Sequence, residues 1–498
     1  MPDLGPTRRR FAGEEDVKAY PEYRDSGLPW LGPIPAHWDI RRAKNLFRCI
    51  DVRSTTGEEE LLTVSAEHGV VPRKSMKVTM FKAESYVGHK LCWPNDLVIN
   101  SLWAWGRGLG VTKRHGIVSS AYGVYRLRAG GEQYADYIHH LVRSAAFHWE
   151  LRVRSKGVWI SRLQLTDGEF LDAPIPIPSQ AEAQAMARFV VMMERRFNRL
   201  IRNRRRLTEV LNEQKQAIIN RAVTRGLDPN VRLKPSGVEW LCDVPEHWEV
   251  LRLKATLSRP MRNGLFKKKE AFGTGAPFIN VADVYRGNFQ IEPASLERVQ
   301  AAPEELRAFQ VKAGDLFFVR SSLKLEGTGR SAVVVDHEAN TVFDCHLVQG
   351  RPNAVRASPR FLAFQLNSFS LRHYLISRAN VVTMATVGQN VLSTCPVWLP
   401  PLSEQANVLQ HIDEESERLD AITSRAQREI SLLREYRTRL IADVVTGKVD
   451  VRHLTPQGGD MGEADALALP DEINEMGAAE GADDEEAELV EEVADADD

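Results

Sequence analysis

Some features that define other classes of protein are missing from this chain of 498 residues. It has no run of about eighteen apolar residues, which argues against a membrane-spanning helix, and its arginine-rich N-terminus has no apolar signal core. The five cysteines are scattered without any Cys-x-x-Cys spacing, so we expect reduced thiols in the cytoplasm rather than disulfides or a zinc framework. The hydrophobic fraction of 43% is ordinary for a globular protein, so a core can form.

Catalytic signatures are also absent or weak. The chain has no Gly-x-x-x-x-Gly-Lys-[Ser/Thr] phosphate loop and no Asn-Pro-Pro-Tyr-type catalytic tetrapeptide. Phe272-Gly273-Thr274-Gly275 resembles a methyltransferase glycine turn, but it follows a lysine run rather than a clear strand, so we interpret it as a loop. Glu213-Gln214-Lys215 has the form of a nuclease metal site, but it lies within a long helical segment. The histidines, including His139-His140, lack metal-ligand spacing, so we predict no metal site. Because the motifs above are absent or weak, we also predict no catalytic residue and no cofactor in this chain.

The acidic residues are distributed unevenly. From Gly458 to Asp498 there are seventeen Asp and Glu and no Lys or Arg, so the other 457 residues hold all 65 basic side chains against 50 acidic ones, a net charge of +15. A basic body of this kind favours a polyanionic partner, nucleic acid above all, and the alternative is a solvated basic surface. The acidic tail lacks aromatic residues and periodicity, so we expect it to be disordered, and its role is open.

A duplicated box organises the sequence. Ser26-Gly27-Leu28-Pro29-Trp30-Leu31 with Ile34-Pro35-Ala36-His37-Trp38 recurs 210 positions later as Ser236-Gly237-Val238-Glu239-Trp240-Leu241 with Val244-Pro245-Glu246-His247-Trp248. The two copies align without a gap, so we interpret the chain as a tandem repeat. Because His37-Trp38 and His247-Trp248 stand at two domain entrances, we predict that they are structural anchors rather than catalytic groups.

Each repeat ends in a long segment without Pro or Gly, which predicts a long helix. The first segment opens with the capping-box form Ser179-Gln180-Ala181-Glu182. Its apolar positions step mostly by four and three, as in a heptad pattern: Met186, Val190, Met193, Phe197, Leu200, Leu207, Leu211 and Ile218. In the second segment the positions that recur every seven residues are Ile412, Leu419, Ala426, Leu433 and Leu440. Such a narrow apolar stripe needs a partner helix, so we predict that the two helices pair in antiparallel fashion as a coiled coil.

The segments before the long helices combine short apolar runs with many glycines, and we predict an α/β domain in each. In the first, Asp96 to Ile99 and Gly123 to Leu127 are predicted strands, and Tyr134 to Glu150 is a predicted helix. Between the repeats we align Ala313-Gly314-Asp315-Leu316 with Pro94-Asn95-Asp96-Leu97, Gly327-Thr328-Gly329 with Gly108-Leu109-Gly110, and Gln405 with Gln184. The predicted fold class is α/β, with two similar domains separated by two long antiparallel helices in a pseudo-two-fold tandem repeat. The predicted boundaries are a leader at 1–25, the first domain at 26–178, the first helix at 179–226, the second domain at 227–400, the second helix at 401–452 and the acidic tail at 453–498.

Both repeats resemble the specificity (S) subunits of Type I restriction–modification enzymes. The resemblance covers about 20–452 and is carried by the duplicated box, by Asn95-Asp96-Leu97-Val98-Ile99-Asn100, by Ile117-Val118-Ser119-Ser120-Ala121-Tyr122 and by the segment from Pro400 to Gln405. It implies that each α/β domain is a target recognition domain for one half of a bipartite site in double-stranded DNA. The long helices would separate the two domains and dock two methylation (M) subunits.

The resemblance also implies where the chemistry lies. The M subunits would carry S-adenosylmethionine and methylate adenine, and restriction (R) subunits would join them for cleavage, so this chain itself is expected to be non-catalytic. An autonomous DNA-modifying enzyme and a coiled-coil scaffold that binds no DNA are the alternatives.

The candidate DNA-binding residues lie mostly in loops rich in basic and polar side chains. Arginine and serine suit base edges in the major groove, while lysine mostly contacts phosphates. In the first domain the candidates are Arg73, Lys74, Trp105, Arg107, Lys113 and Arg114, and in the second they are Lys267, Lys268, Lys269, Arg320, Ser321, Ser322, Lys324 and Arg330. The alternative for each is a solvated or core side chain without contact to DNA.

Overall fold

The structure is a computed structural model that describes residues 18–76, 85–157, 163–238, 243–286 and 288–454. The acidic tail and the Glu239-Trp240-Leu241 part of the second box lie outside these residues. The chain divides into two compact units: unit 1 comprises Met1–Asn203 and Glu429–Asp498, and unit 2 comprises Arg204–Arg428. No helix in the described part of the chain is both long enough and apolar enough to cross a membrane.

Unit 1 is built around an antiparallel sheet. Its strands are β1 (Tyr23–Asp25), β2 (Pro33–Pro35), β3 (Asp39–Arg42), β4 (Phe47–Cys49), β5 (Leu62–Ser65), β6 (Gly69–Pro72), β7 (Lys90–Cys92), β8 (Leu97–Asn100), β9 (Leu109–Val111), β10 (Gly116–Val118), β11 (Tyr122–Leu127) and β12 (Pro174–Ile177). Its short helices are α1 (Ala43–Leu46), α2 (Ala135–Val142), α3 (Ala145–Arg154) and α4 (Asp167–Leu171). The central sheet has the strand order β4-β11-β8-β9. The predicted strands in this unit are confirmed as β8 and β11, and the apolar side chains of β8 are fully buried in the sheet.

The predicted single helix from Tyr134 to Glu150 is wrong, because the chain forms two helices, α2 and α3. The break falls at Ser144, whose Oγ accepts a hydrogen bond from the backbone N–H of Phe147 at 3.3 Å and so caps α3. A serine at this position satisfies a donor that has no partner in the first turn of a helix. The apolar periodicity continues through the break, so periodicity alone could not locate it.

Unit 2 contains a larger set of the same kinds of element. Its strands are β13 (Leu233–Lys234), β14 (Val244–Pro245), β15 (Glu249–Arg252), β16 (Arg262–Asn263), β17 (Phe272–Ile279), β18 (Gln290–Ile291), β19 (Glu297–Val299), β20 (Leu316–Val319), β21 (Ser321–Ser322), β22 (Ser331–Val334), β23 (Val342–Phe343), β24 (Leu347–Gly350), β25 (Asn380–Val381), β26 (Ala385–Thr386) and β27 (Pro396–Leu399). Its short helices are α6 (Val281–Val284), α7 (Pro303–Ala308), α8 (Pro359–Leu366), α9 (Phe369–Ser377) and α10 (Gln389–Thr394). The central sheet has the strand order β16-β24-β20-β22-β18.

The glycine turn of the sequence analysis is part of a strand. Phe272 to Gly275 opens β17, which pairs with β19, so the interpretation of this segment as a loop is wrong. The pairing register shifts between Phe272 and Ala276, because both residues lie opposite Val299. Glycine suits an irregular strand of this kind, which is here the middle strand in the order β19-β17-β23, so no bound cofactor is needed to explain the glycines.

The two units share a core topology. The order β4-β11-β8-β9 in unit 1 corresponds to β16-β24-β20-β22 in unit 2, and the pairs β3·β12 and β1·β2 correspond to β15·β27 and β13·β14. The same bidentate ion pair lies at the base of each central hairpin. Arg126 donates from Nε and Nη2 to Asp96 at 2.8 and 2.7 Å, and Arg351 donates to Asp315 at 2.5 and 2.6 Å. The duplication predicted from the boxes therefore extends to the fold of both units.

The predicted long helices are confirmed as α5 (Gln180–Arg225) and α11 (Leu402–Val445). In unit 1 the first half of α5 packs against the second half of α11, and the rings of Phe197 and Tyr436 meet edge to face at 5.7 Å. In unit 2 the second half of α5 lies against the first half of α11, and Lys215 Nζ is 2.7 Å from Asp420 Oδ2. The two helices therefore run antiparallel within each unit, as predicted.

The heptad prediction holds better for α11 than for α5. The whole sevenfold row of α11 is buried, namely Ile412, Leu419, Ala426, Leu433 and Leu440. On α5, Leu200 and Leu207 are 36% and 37% exposed, while Ile201 is buried, so the predicted row is wrong there. A straight helix of 3.6 residues per turn drifts by about 20° per heptad from a 3.5-residue repeat, so the buried face moves by one position along α5.

Candidate nucleic-acid interface

The His-Trp box anchors the start of a long helix in each unit. In unit 1 Trp38 Nε1 donates to Glu182 Oε1 at 3.0 Å, and His37 Nε2 lies 2.9 Å from Glu182 Oε2. In unit 2 Trp248 Nε1 donates to the Glu404 carboxylate at 3.1 Å, and His247 Nε2 lies 2.7 Å from its other oxygen. The prediction of structural anchors is therefore confirmed in both copies.

The glutamate of each anchor was not recognised from the sequence. Ser179 Oγ does accept the backbone N–H of Glu182, at 3.4 Å, as the capping form predicts, but the Glu182 carboxylate is used by the box. The structure thus aligns Glu182 with Glu404, an offset of 222, so the alignment of Gln184 with Gln405 is wrong by one residue. The repeated glutamate itself was the signal that could have corrected this.

The same boxes also seat the end of a long helix. Gly447 follows α11 with φ +77°, and a Cβ atom there would lie 2.6 Å from Pro35 and 2.9 Å from Trp38. Gly226 follows α5 with φ +73°, and its Cβ position would be 3.4 Å from Trp248. Glycine after a helix end adopts this left-handed conformation without strain. In each unit, therefore, the box contacts the start of one long helix and the glycine that follows the end of the other.

Recognition loop 1, defined as residues 101–108, connects β8 to β9 in unit 1. Trp105 is half-buried, and its Nε1 donates to the carbonyl of Leu102 at 3.0 Å. Arg107 is exposed and has a left-handed backbone with φ +67°. The indole of Trp105 therefore shapes the loop, while the guanidinium of Arg107 is displayed to solvent.

Recognition loop 2, defined as residues 320–330, connects β20 to β22 in unit 2. Ser322 is 7% exposed, and its Oγ accepts a hydrogen bond from the hydroxyl of Tyr285 at 3.1 Å. Thr328 Oγ1 donates to the carbonyl of Ala385 at 3.0 Å. Lys324 is exposed. The hydroxyl of Ser322 is thus used inside the unit, and the lysine beside it faces outward.

The two recognition loops share a short 3-10 turn, Ala104–Gly106 in loop 1 and Leu325–Gly327 in loop 2. This turn aligns Gly106 with Gly327, so the alignment of Gly327 with Gly108 is wrong. Loop 2 is three residues longer than loop 1, with two of the extra residues before the turn and one after it. The loops are therefore equivalent in topology and different in shape.

Two half-buried arginines hold backbone carbonyls from the helical side, one next to recognition loop 1 and one within recognition loop 2, and sequence reasoning did not identify either. Arg143, at the end of α2, donates to the carbonyls of Leu109 at 2.8 Å and Ala66 at 2.9 Å. Arg372, on α9, donates to the carbonyl of Thr328 at 2.7 Å. Burial lowers the pKa of both guanidinium groups to about 10, so both are charged at neutral pH. Their sequence context does not distinguish them from arginines that face solvent.

Four predicted DNA-binding side chains are engaged in ion pairs. Lys74 Nζ and Arg114 Nη1 lie 2.9 and 3.3 Å from the two oxygens of Glu60, so the structure brings these two candidates together. The hydrogen bond from Lys74 lowers the pKa of the Glu60 carboxyl. The other two pairs join Lys113 to Asp136 and Lys267 to Glu305. A phosphate would have to compete with a carboxylate for each of these cations.

The remaining candidates are not engaged in this way. Arg107, Lys268, Lys269 and Lys324 are exposed, and Arg73, Arg320, Ser321 and Arg330 are half-buried. Across the ranges described above, none of the basic side chains in this set forms an ion pair. Their roles stay predictions, and these are the cations that the structure leaves available to an anionic partner.

A cluster of possible metal ligands lies between β23 and β24. Donor atoms of Asp344, Cys345 and His346 fall within 4.8 Å of one another. The backbone N–H of His346 donates to Asp344 Oδ1 at 2.7 Å, and the ring Nδ1 lies 2.7 Å from the same oxygen. Burial raises the pKa of the Cys345 thiol, which keeps it protonated at neutral pH. The carboxylate therefore stabilises a turn, and we assign no metal to this cluster.

Comparison with known proteins shows what this chain is similar to. No model of a known protein family matches the chain. It is 21% identical over 356 residues to the Type I restriction enzyme EcoKI specificity subunit of Escherichia coli (strain K12), which covers 70% of this chain and 73% of that protein. It is 21% identical over 354 residues to the StySPI specificity subunit of Salmonella potsdam, with 70% and 72% covered. The resemblance to the Type I specificity subunits is confirmed.

The fold agrees with this assignment. A chain from a solved structure that describes complex assembly and conformational transition of the type I R-M system superposes with a TM-score of 0.56 at 17% identity, covering 83% of this chain and 98% of that one. The predicted fold class, α/β domains combined with long helices, is thereby confirmed. The relatives are named as specificity subunits, which supports the interpretation of this chain as a non-catalytic specificity subunit rather than an autonomous enzyme.

Proposed function

We propose that the chain recognises a bipartite site in double-stranded DNA, with unit 1 and unit 2 each contacting one half-site. The observation that carries this proposal is the duplicated strand–loop–strand element. In both units a buried aspartate paired with a partly exposed arginine fixes the hairpin base, while the loop that follows differs in length and in side chains. A common frame with divergent loops suits the recognition of two different half-sites.

The available cations divide naturally between base and phosphate contacts. Arg107 and Arg320 stand in equivalent recognition loops, and an arginine fork can donate two hydrogen bonds to a guanine edge in the major groove. Lys268, Lys269 and Lys324 are exposed point charges that suit phosphates. The ion-paired lysines contribute less, because their charge is already balanced by a carboxylate.

The chemistry in this proposal belongs to partner subunits. Two M subunits would bind the long helices and supply S-adenosylmethionine for methylation of adenine, and R subunits would join them for cleavage. We place the assembly in the cytoplasm, where its DNA target lies. The chain itself would supply position and sequence preference.

Methylation mapping tests the proposal directly. The purified chain mixed with its M subunit and S-adenosylmethionine should methylate adenines only within one bipartite sequence, and the chain alone should transfer no methyl group. Transfer by the isolated chain would establish an autonomous enzyme instead. A complex without preference among duplexes in gel-shift assays would establish a scaffold.

Variants of the two recognition loops test which unit contacts which half-site. Arg107→Ala should relax the preference within one half-site, and Arg320→Ala should relax it within the other, each by about tenfold, as for the loss of one bidentate contact. Arg232→Ala, an exposed arginine outside the recognition loops, is the matched control and should leave both half-sites unchanged. Loss at both half-sites from either loop variant would contradict the division of labour.

A further inference from the structure

An apolar ridge lies beside recognition loop 2. It consists of Leu323, Met384 and Val382. Leu323 is 85% exposed and Val382 is 92% exposed, while Met384 is half-buried. Exposed leucine and valine at these fractions contribute nothing to the core of unit 2, so their positions call for another explanation.

Strand pairing brings the three residues to the same end of one small sheet. The strands β21, β26 and β25 form a small antiparallel sheet in which Ser322 is opposite Ala385 and Ala385 is opposite Val381. Leu323, Met384 and Val382 come next to this paired row, just beyond the ends of the three strands, and the backbone N–H of Val382 reaches the carbonyl of Met384 at 3.5 Å. Neighbouring strands lie about 4.8 Å apart, so the row spans roughly 10 Å.

The ridge is held firmly at its base. Ser322 accepts a hydrogen bond from Tyr285, and Thr328 donates one to the carbonyl of Ala385 in β26, the central strand of this sheet. Arg372 holds the carbonyl of Thr328 from α9. A tip on a supported sheet of this kind keeps its shape on binding, which lowers the entropy cost of contact.

The charges around the ridge indicate its partner. Lys324 follows Leu323 directly, Arg320 opens the same loop, and Arg330 closes it, with no acidic side chain of the loop except Glu326. Cations that flank an apolar tip fit a polyanion with apolar groups recessed between its charges. The major groove of duplex DNA has this chemistry, because phosphates border a groove about 12 Å wide in which thymine methyl groups are exposed.

We propose that the Leu323-Met384-Val382 ridge contacts thymine C5-methyl groups in the major groove of the half-site bound by unit 2. This inference rests on the proposed function and deepens it by naming apolar contacts that determine sequence. The roughly 10 Å row fits the width of the groove. In recognition loop 1 the residue at the corresponding place before the 3-10 turn is Leu102, which is 49% exposed.

Deoxyuridine substitution tests the contact at the level of one methyl group. Once the half-site is mapped, each of its thymines is replaced in turn by deoxyuridine, and the Kd of the assembled complex for each duplex is measured. A methylated adenine guarantees at least one thymine in the half-site. Loss of one buried methyl should weaken binding about fourfold at one or two positions.

Variants connect the effect to the ridge. Leu323→Ala and Val382→Ala should bind the thymine duplex about threefold to tenfold more weakly, and each should lose the response to deoxyuridine at its own position. Val355→Ala removes an equally exposed apolar side chain, 80% exposed, outside the ridge and should keep both the affinity and the response. Because all three side chains face solvent, the variants should fold normally, which circular dichroism checks.

Other outcomes would overturn the proposal. A wild-type complex indifferent to deoxyuridine at every thymine of the half-site would exclude the methyl contact, as would a Leu323→Ala and Val382→Ala double variant that keeps the full response. If the ridge variants lose the M subunit while the assembled remainder binds DNA normally, the ridge is a protein interface. Failure of the proposed function is distinct, because the wild-type complex would then show no sequence-specific methylation at all.

Discussion

Unit 1 and unit 2 satisfy the same buried carbonyls with different side chains. In unit 1 the hydroxyl of Tyr137 approaches the carbonyls of Pro176 in β12 and Val445 in α11, at 2.9 and 3.2 Å. In unit 2 Gln365 Nε2 donates to the corresponding carbonyls of Trp398 and Val223, at 2.6 and 3.3 Å. The fold therefore requires these carbonyls to be paired, whereas the residue that pairs them is free to change.

The anchors show a second difference between the units. The side chain of Glu182 is 1% exposed beneath its box, and that of Glu404 is 28% exposed beneath its own. The partners and distances are nearly the same in both. Both indole donors are buried, but water can replace the partly exposed Glu404 carboxylate as acceptor more readily than the buried Glu182 carboxylate, so we expect the two anchors to contribute unequally to stability.

The largest effect should come from breaking the anchors. Glu182→Ala leaves the indole N–H of Trp38 buried without an acceptor and should lower the free energy of unfolding by about 2–4 kcal/mol, against about 1 kcal/mol for Glu404→Ala. Urea denaturation of the two variants measures the difference. Equal losses would show that the exposure of the carboxylate does not decide its contribution.

Substitution of the aspartate at each hairpin base should destabilise the two units by different and smaller amounts. Asp315 accepts from Arg351, from Gln349 Nε2 at 2.7 Å and from the backbone N–H of Lys312 at 2.8 Å, whereas Asp96 accepts from Arg126 and from the N–H of Trp93. Asp315→Asn should therefore cost about 2–3 kcal/mol, and Asp96→Asn about 1 kcal/mol less. Thermal unfolding of both variants checks the order, and a reversed order would contradict this account.

Acid should affect unit 1 through a feature that unit 2 lacks. Burial lowers the pKa of His140 to about 4 and that of His139 well below its ordinary value. The ordinary value is about 6.5, so between about pH 6.5 and 4 the unfolded chain binds protons that the folded chain does not, and stability falls as the pH falls through this window. Ala363 and Phe364 occupy the corresponding positions of α8 in unit 2.

Replacement by the residue of unit 2 tests this feature. The Tm of His140→Phe should fall less than that of the wild type between pH 7.5 and 5, as measured by differential scanning calorimetry. His373→Phe, an exposed histidine of unit 2, is the control and should behave as the wild type. An identical acid response in His140→Phe and the wild type would exclude His140 as the source.

The smallest effects should distinguish paired from unpaired lysines. Lys268→Ala with Lys269→Ala removes two exposed cations of unit 2 and should reduce the salt dependence of DNA binding by about two phosphate contacts. Lys74→Ala in unit 1 should change affinity by less than about twofold, because Glu60 already balances that charge. Binding titrations from about 50 to 200 mM salt measure both slopes. A larger change for Lys74 would show that DNA displaces Glu60.

Much of the architecture could be predicted from the residues, and the failures have physical causes. The absence of Pro and Gly located both ends of α5 and the start of α11 to within a residue, because only helices use such long uninterrupted segments. The predicted end of the second helix at 452 is wrong, since α11 ends at Val445, before Gly447. The break at Ser144 was missed, since a serine cap and a mid-helix serine look alike in one sequence. The buried row of α5 was displaced because a straight helix departs from an ideal heptad.

The DNA-binding role of the candidate residues stays a prediction, although Arg107 and Lys324 do lie in loops. The sequence could not show that Lys74, Lys113 and Lys267 face carboxylates. Nor could it separate Arg143 and Arg372, which hold loop carbonyls, from arginines available to DNA. Ion pairs between residues far apart in the chain depend on which strands become neighbours, and local pattern carries no record of that.

The repeat, the two long helices and the basic character of the body follow from the amino-acid sequence, because periodicity, composition and recurrence are properties of the chain. Which glutamate contacts each His-Trp box, which cations remain available, and that Leu323 and Val382 lie at the same exposed end of a small sheet became clear from the folded structure. Those facts depend on strand pairing and burial, which arise when distant segments are brought into contact.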